Sequence, residues 1–581
     1  LMFRKGSLKA MKTLLRKGAV LPALSSILVL SLALAQAPYG HAQTQAQPNT
    51  QATVSAPASS DGSVAGVGDS EISPAVAKAL AAMQTRIEQL EAELKARGTP
   101  EQRPTGAAGT LATAGETAPN AKALTAPVLT PPATAPKEEK PAPAAPAEPF
   151  AYADWTWLNG NPRNKDVVWD SKFFTPEVRF DTNFVSSFNH PKDDTIGGST
   201  EIFRSNEIQA DQISVGGDFH WQNVRGRILT MNGMFATTTP RNDASTGRGQ
   251  WDLRGAYRYI SEAYGGYHFN VNHGLNVDAG IFVSYIGLFS YYNFDNWAYQ
   301  PSYVSSNTPW FFNGLRIQWF PTDKLKIEPW IINGWQSYAR SGSKPGLGGQ
   351  ILWRPKPWVS LVFNNYGMGE DTLGTGNGQA GRSRIHTDDS IEVKYYDKPS
   401  HFLDKMAFSF TGDLGCEYGT GNSVVAGVNC HHDIKNADGT FKSRKQTFAG
   451  WMLYNRFWFK KDLFGLTLGG GVMDNPGRYL TLLPPINGAD AISGSPYFTQ
   501  NPGDPFKAWD TTATFDWMPK QYITFRSEYG YRHASVPYFT GRGGITPPGG
   551  NTGTPSLLVP GFTPDLRKDE GSIRLAIMVK F

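Results

Sequence analysis

Cys416 and Cys430 are the only cysteines in the chain, fourteen positions apart. In an oxidising compartment that spacing suits a loop-stapling disulfide, with two free thiols as the alternative. Two cysteines cannot build a zinc cluster on paired thiolates. His431 and His432 follow Cys430, and Asp433 comes next. Their spacing gives no set of ligands converging on one point, so they read as exposed loop histidines and no metal is expected. Gly469-Gly470-Gly471 and Gly541-Arg542-Gly543-Gly544 lack the lysine and the strand-to-helix setting of a phosphate cradle. No nucleophile elbow is present. No catalytic residue and no cofactor are therefore expected.

The charged residues that remain have a different kind of order: they alternate with apolar ones. Asp252, Arg254 and Arg258 alternate with Trp251, Leu253, Tyr257 and Tyr259. Lys324, Lys326 and Glu328 alternate with Leu325, Ile327, Pro329 and Ile331. Glu392 and Lys394 lie between Ile391, Val393 and Tyr395, while Arg526, Glu528 and Arg532 share a segment with Ile523, Phe525 and Tyr529. At the end of the chain every odd position from Ile573 to Phe581 is apolar, with Arg574 and Lys580 among the even ones. A period of two is the signature of β-strands with one apolar and one charged face. Opposed charges along one face would line a water-filled lumen, where they order water and filter small polar solutes.

What positions these faces follows from the composition. The 581 residues include 61 Gly, 33 Phe, 23 Tyr and 16 Trp, with a formal charge of +5. The basicity is local. Residues 1–20 hold Arg4, Lys5, Lys9, Lys12, Arg16 and Lys17 with no acid, and an apolar run of 16 residues, Val20 to Ala35, follows. Small-residue cleavage patterns come next, ending at Gly40-His41-Ala42, which is the order of a secretory signal over 1–42; a single anchor, broken by Pro22, is the alternative. Cleavage after Ala42 removes six bases and takes the charge from +5 to −1, so nothing points to nucleic acid.

Residues 43–72 are too polar to fold. Over 73–98, Ser73-Pro74 opens a helix in which Val76, Leu80, Met83, Ile87, Leu90 and Leu94 form a heptad seam. The seam fits a short coiled coil in an oligomer, or an isolated amphipathic helix lying on another surface. Residues 99–149 are a Pro/Ala-rich linker, with peptidoglycan or the periplasmic space as its natural surroundings. From Phe150 onward the character changes, and all but Phe3 and Tyr39 of the 72 aromatic residues lie there.

The spacing predicts an all-β fold over 150–581: an antiparallel transmembrane barrel of 16 strands, with 18 as the alternative. In lipid every backbone polar group needs a partner, so such strands must close into a ring with the apolar face outward. Seventeen candidate strands are legible, among them 174–186, 204–218, 223–236, 248–261, 264–272, 275–287, 388–397 and 403–413. Pro321-Thr322-Asp323, Pro355-Lys356-Pro357 and Pro519-Lys520 read as short turns. Segments 186–203, 237–249, 368–387, 414–443, 474–506 and 533–568 read as long outer loops.

Residues 280–339, together with the opening WTWLNGNPRN at 155–164, resemble the putative beta-barrel porin family of Gram-negative bacteria. The strand ending in Phe581 fits the same picture. The resemblance implies an outer membrane barrel with porin activity over about 150–581, and supplies no catalytic or substrate residues. Asn307-Thr308-Pro309-Trp310 and Asn333-Gly334-Trp335 look like its recurrent text, suited to constriction-loop packing or to strand closure. A short coiled coil ahead of a barrel resembles certain trimeric sugar and anion porins, which favours a homotrimer. The expected activity is passive diffusion of small polar solutes or ions. The alternative is a structural protein tethering the membrane to the cell wall through residues 73–149. Outer membrane lipid is an expected partner, and Lys442-Ser443-Arg444-Lys445 suits lipopolysaccharide phosphates or a solvated charge cluster.

Overall fold

Sixteen antiparallel strands close on themselves, each hydrogen-bonded to its neighbours in sequence and the last to the first. The computed structural model describes residues 148–196, 202–240, 251–340, 344–367, 382–419, 427–477, 506–546 and 561–581, with the single residues Glu88 and Asp243. The expected signal, the polar segment, the helix over 73–98 and nearly all of the linker lie outside the described residues, except Glu88, which is helical.

The strands are β1 Phe174–Ser187, β2 Ile208–Trp221, β3 Val224–Thr230, β4 Ile260–Phe269, β5 Leu275–Val283, β6 Phe311–Thr322, β7 Leu325–Ile332 and β8 Gly346–Lys356. They continue with β9 Val359–Gly367, β10 Arg382–Asp397, β11 Leu403–Gly419, β12 Thr447–Phe459, β13 Phe464–Asn475, β14 Phe506–Lys520, β15 Ile523–Ala534 and β16 Asp569–Lys580. Two small ladders, Ile434–Lys435 with Phe441–Ser443 and Phe539–Thr540 with Leu566–Arg567, sit in the long connections. Closure pairs Arg179 with Lys580 and Ser187 with Ser572, and the Phe581 amide donates to the Val178 carbonyl at 3.0 Å. A closed ring leaves no unpaired strand edge, which a bilayer requires.

The two faces separate as alternation demands. On β16, Ile573, Leu575 and Ile577 are exposed, whereas Ser572, Arg574, Ala576 and Met578 are buried. The same holds on β14, with Trp509, Phe515 and Trp517 outward and Asp510, Thr512, Thr514 and Asp516 inward. An exposed aromatic and aliphatic girdle on one face is what lipid covers. One rim carries short turns, such as 323–324, 357–358 and 521–522, and the other carries the long connections.

One expected strand is absent. Among the described residues of 248–261 there is no strand before Ile260; Leu253–Tyr257 form a short helix, α2, after another, α1, at Phe235–Thr238. The Asp252 carboxylate accepts the Gly255 amide at 2.9 Å, so the residue read as a lumen charge is a helix cap. Trp251 is 81% exposed, while Leu253 and Tyr257 pack against the buried cluster of Ile281, Trp310, Phe311 and Tyr338. β3 ends at Thr230 rather than near 236. β10 begins at Arg382 rather than near 388, and β11 runs on to Gly419, so Cys416 belongs to a strand rather than to a loop.

Candidate functional site: the barrel interior

The connection from β5 to β6, residues 284–310, turns inward and crosses to the opposite wall. It carries Tyr292, Phe294, Trp297, Tyr299 and Tyr303, all buried, and a short helix, α3, at Tyr303–Ser306. Charged residues on the far strands hold its backbone. The Glu528 carboxylate of β15 accepts the amides of Tyr299 at 2.6 Å and Gln300 at 2.9 Å. Arg526 pairs with Asp516 at 2.7 Å and donates to the carbonyls of Asn293 at 3.2 Å and Asn296 at 2.6 Å. Asp510 on β14 accepts from the Ser302 hydroxyl at 2.7 Å and the Tyr303 amide at 3.0 Å. On β1, Arg179 meets Asp295 at 3.0 Å, while Asp181 accepts from Asn293 and from the Tyr299 hydroxyl, both at 2.9 Å. The wall leaves room for α3 through glycine: a Cβ on Gly471 would lie 2.3 Å from the Ser302 hydroxyl.

A second segment enters from the short-turn rim. The Phe150 amide donates to the Asp323 carbonyl at 2.7 Å in the β6–β7 turn. The Arg354 guanidinium of β8 sits between the Phe150 and Trp155 rings, 4.9 and 4.8 Å from their centroids. Trp155, Trp157 and Leu158 are buried. At the tip, the Asn159 amide donates to Glu392 of β10 at 2.7 Å, and its side-chain oxygen accepts the Trp297 amide at 2.8 Å. Gly160, with φ of 69°, lies so close to the Leu288 carbonyl that a Cβ there would meet it at 2.1 Å. The chain then returns to the rim. Arg163 donates to the carbonyls of Lys520 at 2.8 Å and Ile523, and Asn164 to the carbonyl of Lys580 at 2.9 Å. The Lys165 amide reaches Gln521 at 2.7 Å. Asp154 and Lys165, 2.6 Å apart, pinch the neck of this loop.

Between the inward loop, this terminal segment and the β5–β10 wall lies a chamber of about 270 Å³. Arg316, Lys326, Glu328, Gln350, Arg354 and Glu392 contribute its polar lining. On the β12–β15 side the two segments line a further, small pocket of about 20 Å³. A second inward row, Asn364, Asp388 and Asp413, runs in register across β9, β10 and β11, and His386 stands 2.7 Å from Asp413.

The residues singled out in the sequence divide accordingly. Glu328, Glu392, Arg526, Glu528 and Arg532 face inward and are buried. Lys326 pairs with Glu328, and Lys394 with Asp397 at 2.5 Å. Arg574 joins Glu528 at 2.9 Å, and the Arg532 guanidinium lies 4.0 Å from the Tyr303 ring centroid. Lys324 sits in the β6–β7 turn beside the Tyr152 ring. Asp252, Arg254 and Arg258 lie in and around α2, outside the barrel strands. Cys416 and Cys430 are bonded to each other, with Cα atoms 5.4 Å apart. His431 and His432 are exposed, and among the described residues no cluster suited to a metal occurs. Arg179, Asp181, Arg316, Arg354, Arg456, Asp510 and Asp516 were missed. The even-numbered positions of β14 carry their own signal in Asp510, Thr512, Thr514 and Asp516. On β7, by contrast, Trp330 and Ile332 face inward although apolar, because Tyr285 and Phe282 pack against them.

The closed ring with an apolar outside and a charged, loop-constricted inside defines an outer membrane β-barrel of the porin class. The family model described as "Putative beta-barrel porin-2, OmpL-like" matches residues 179–557, and the chain belongs to that family. No curated protein matches the sequence. Among solved structures, the chain is similar to the outer membrane channel DcaP of Acinetobacter baumannii, at 13% identity and a TM-score of 0.38, covering 71% of this chain and 99% of that one. It is similar to OprB of Pseudomonas putida at 11% identity and a TM-score of 0.40, covering 71% and 94%. An anion-selective porin from Comamonas acidovorans gives 10% identity and a TM-score of 0.37, covering 70% and 99%.

Proposed function

We propose that the protein is a porin passing small polar solutes or ions by passive diffusion along the barrel interior. The observation that carries this is the chamber of about 270 Å³, bounded by a loop anchored to the far wall and lined by opposed charges. Sixteen strands give a ring wide enough for an aqueous channel, and inward charges in a low-dielectric surround set a transverse field that favours polar over apolar solutes. The chamber is slightly smaller than the roughly 300–1,000 Å³ typical of sites for drug-sized ligands, which supports small solutes over large ones. Short turns face the periplasm and long loops the exterior in such barrels, and the attachment of Phe150 and Arg163 to short turns supports a periplasmic N-terminal region.

The test is electrical. Purified protein in planar bilayers should insert in discrete conductance steps, and a folded barrel that gives none would reject the reading. A homotrimer, held through the heptad seam of residues 73–98, is part of the same proposal. Cross-linking of the detergent-solubilised protein should give trimers that fall to monomers when that segment is deleted.

A further inference from the structure

We propose that residues 148–166 form a built-in plug at the short-turn mouth, so that the terminal segment, and not the inward loop alone, limits what the barrel conducts. The inference rests on the porin reading and deepens it.

The argument begins with topology. The segment is held at the β6–β7 turn by Phe150 and at the β14–β15 turn by Arg163 and Lys165. Those turns are eight strands apart in a ring of sixteen, so the two attachments stand on opposite sides of the mouth. Between them the chain does not run along the rim. It dips into the lumen as far as Asn159, which bonds at once to a wall strand through Glu392 and to the inward loop through Trp297. Gly160 allows the backbone to approach Leu288 at a distance that no side chain permits. On the β12–β15 side plug and loop meet around a pocket of about 20 Å³ lined by Leu158 and Arg163 from the one and Phe294 and Trp297 from the other. On the other side Asn159, Gly160 and Asn161 themselves line the chamber.

The segment is also built to stay in place. Trp155, Trp157 and Leu158 are buried against the barrel interior, and removing that much apolar surface from water holds the segment in place. Arg354 adds stacking from both sides, with Phe150 and Trp155 each within 5 Å. The Asp154–Lys165 pair closes the neck. An unstructured leader passing a mouth would need none of these contacts.

Single-channel recording on the full chain decides the matter, using wild type, a variant lacking residues 148–164, and the double substitution Trp155→Ala with Arg163→Ala. The double variant leaves every strand pairing intact, so it keeps the test open if the deletion does not fold. Folding is checked by heat-dependent mobility on gels. Unit conductance is expected to rise about two-fold in the deletion, with frequent excursions to that higher level in the double variant. Wild-type steps with unchanged conductance in folded variants would overturn the plug while leaving the porin reading intact. No steps from folded wild type would instead remove the porin reading itself.

Discussion

Glu528 accepts from the Tyr299 and Gln300 amides, the Thr514 hydroxyl and the Arg574 guanidinium, which makes one carboxylate the junction between wall and loop. Removing it leaves Arg574 buried without its carboxylate, and breaking a buried pair from one side costs about 3–5 kcal/mol. Glu528→Ala should therefore loosen the inward loop, with noisy, enlarged conductance steps and a lower unfolding temperature, both measurable on the detergent-solubilised barrel. A different carboxylate sets the acid limit of the plug. Burial raises the Asp154 pKa, but hydrogen bonds from Lys165 and Thr156 outweigh it and hold it at about 2. A depressed carboxylate contributes stability fully above its ordinary value near 3.9, and loses it as pH falls through the folded value. The Asp154–Lys165 contribution should be lost, and conductance rise, as pH falls below about 4, as recordings at acid pH would show.

At the scale of the element, the inward loop and the wall are fitted to each other. The α3 helix lies against β12 and β13 where the wall residues are Gly450 and Gly471, and a Cβ on Gly471 would also meet the Trp451 carbonyl at 2.8 Å. Gly471→Val forces either the loop off the wall or the strands apart, and overpacking of this kind costs about 1–3 kcal/mol. The expected result is a folded barrel with altered unit conductance, separating loop seating from barrel formation in one recording. The same logic explains α2. Asp252 was legible as a charge in an alternating run, but an aspartate three residues ahead of a free amide is also a helix cap, and only the short β3 leaves the segment outside the wall to take that form.

At the scale of the whole molecule, the porin proposal makes selectivity a matter of the charges along the interior. The chamber presents Arg316, Lys326 and Arg354 against Glu328 and Glu392, while the β9–β11 wall carries Asp388 and Asp413 in one row. Replacing both with asparagine removes up to two negative charges without changing side-chain volume appreciably. The permeability ratio of cation to anion, read from reversal potentials in a salt gradient, should fall. An unchanged ratio would place the row away from the conducting path. Closure itself is cooperative in the same sense: β1 pairs with β16 over residues 179–187, so the first and last strands of the barrel complete one ring.

The strand grammar, the outward aromatic face and the short turns were readable because each depends on a period of two and on turn residues, which are local; seventeen segments were legible, and sixteen follows from them only through the even strand number of bacterial barrels. So were Glu328, Glu392, Arg526, Glu528 and Arg574 as inward charges. Their partners were not readable. Whether Glu528 would face water, a second wall charge or the backbone of a loop drawn from the opposite side depends on contacts more than two hundred residues apart in sequence. The inward course of 284–310 and the plug at 148–166 arise for the same reason. A wide polar ring leaves interior volume that alternation along a strand says nothing about, and the segments that fill it are chosen by long-range packing of Trp, Tyr and Gly against a wall that exists only once the barrel has closed.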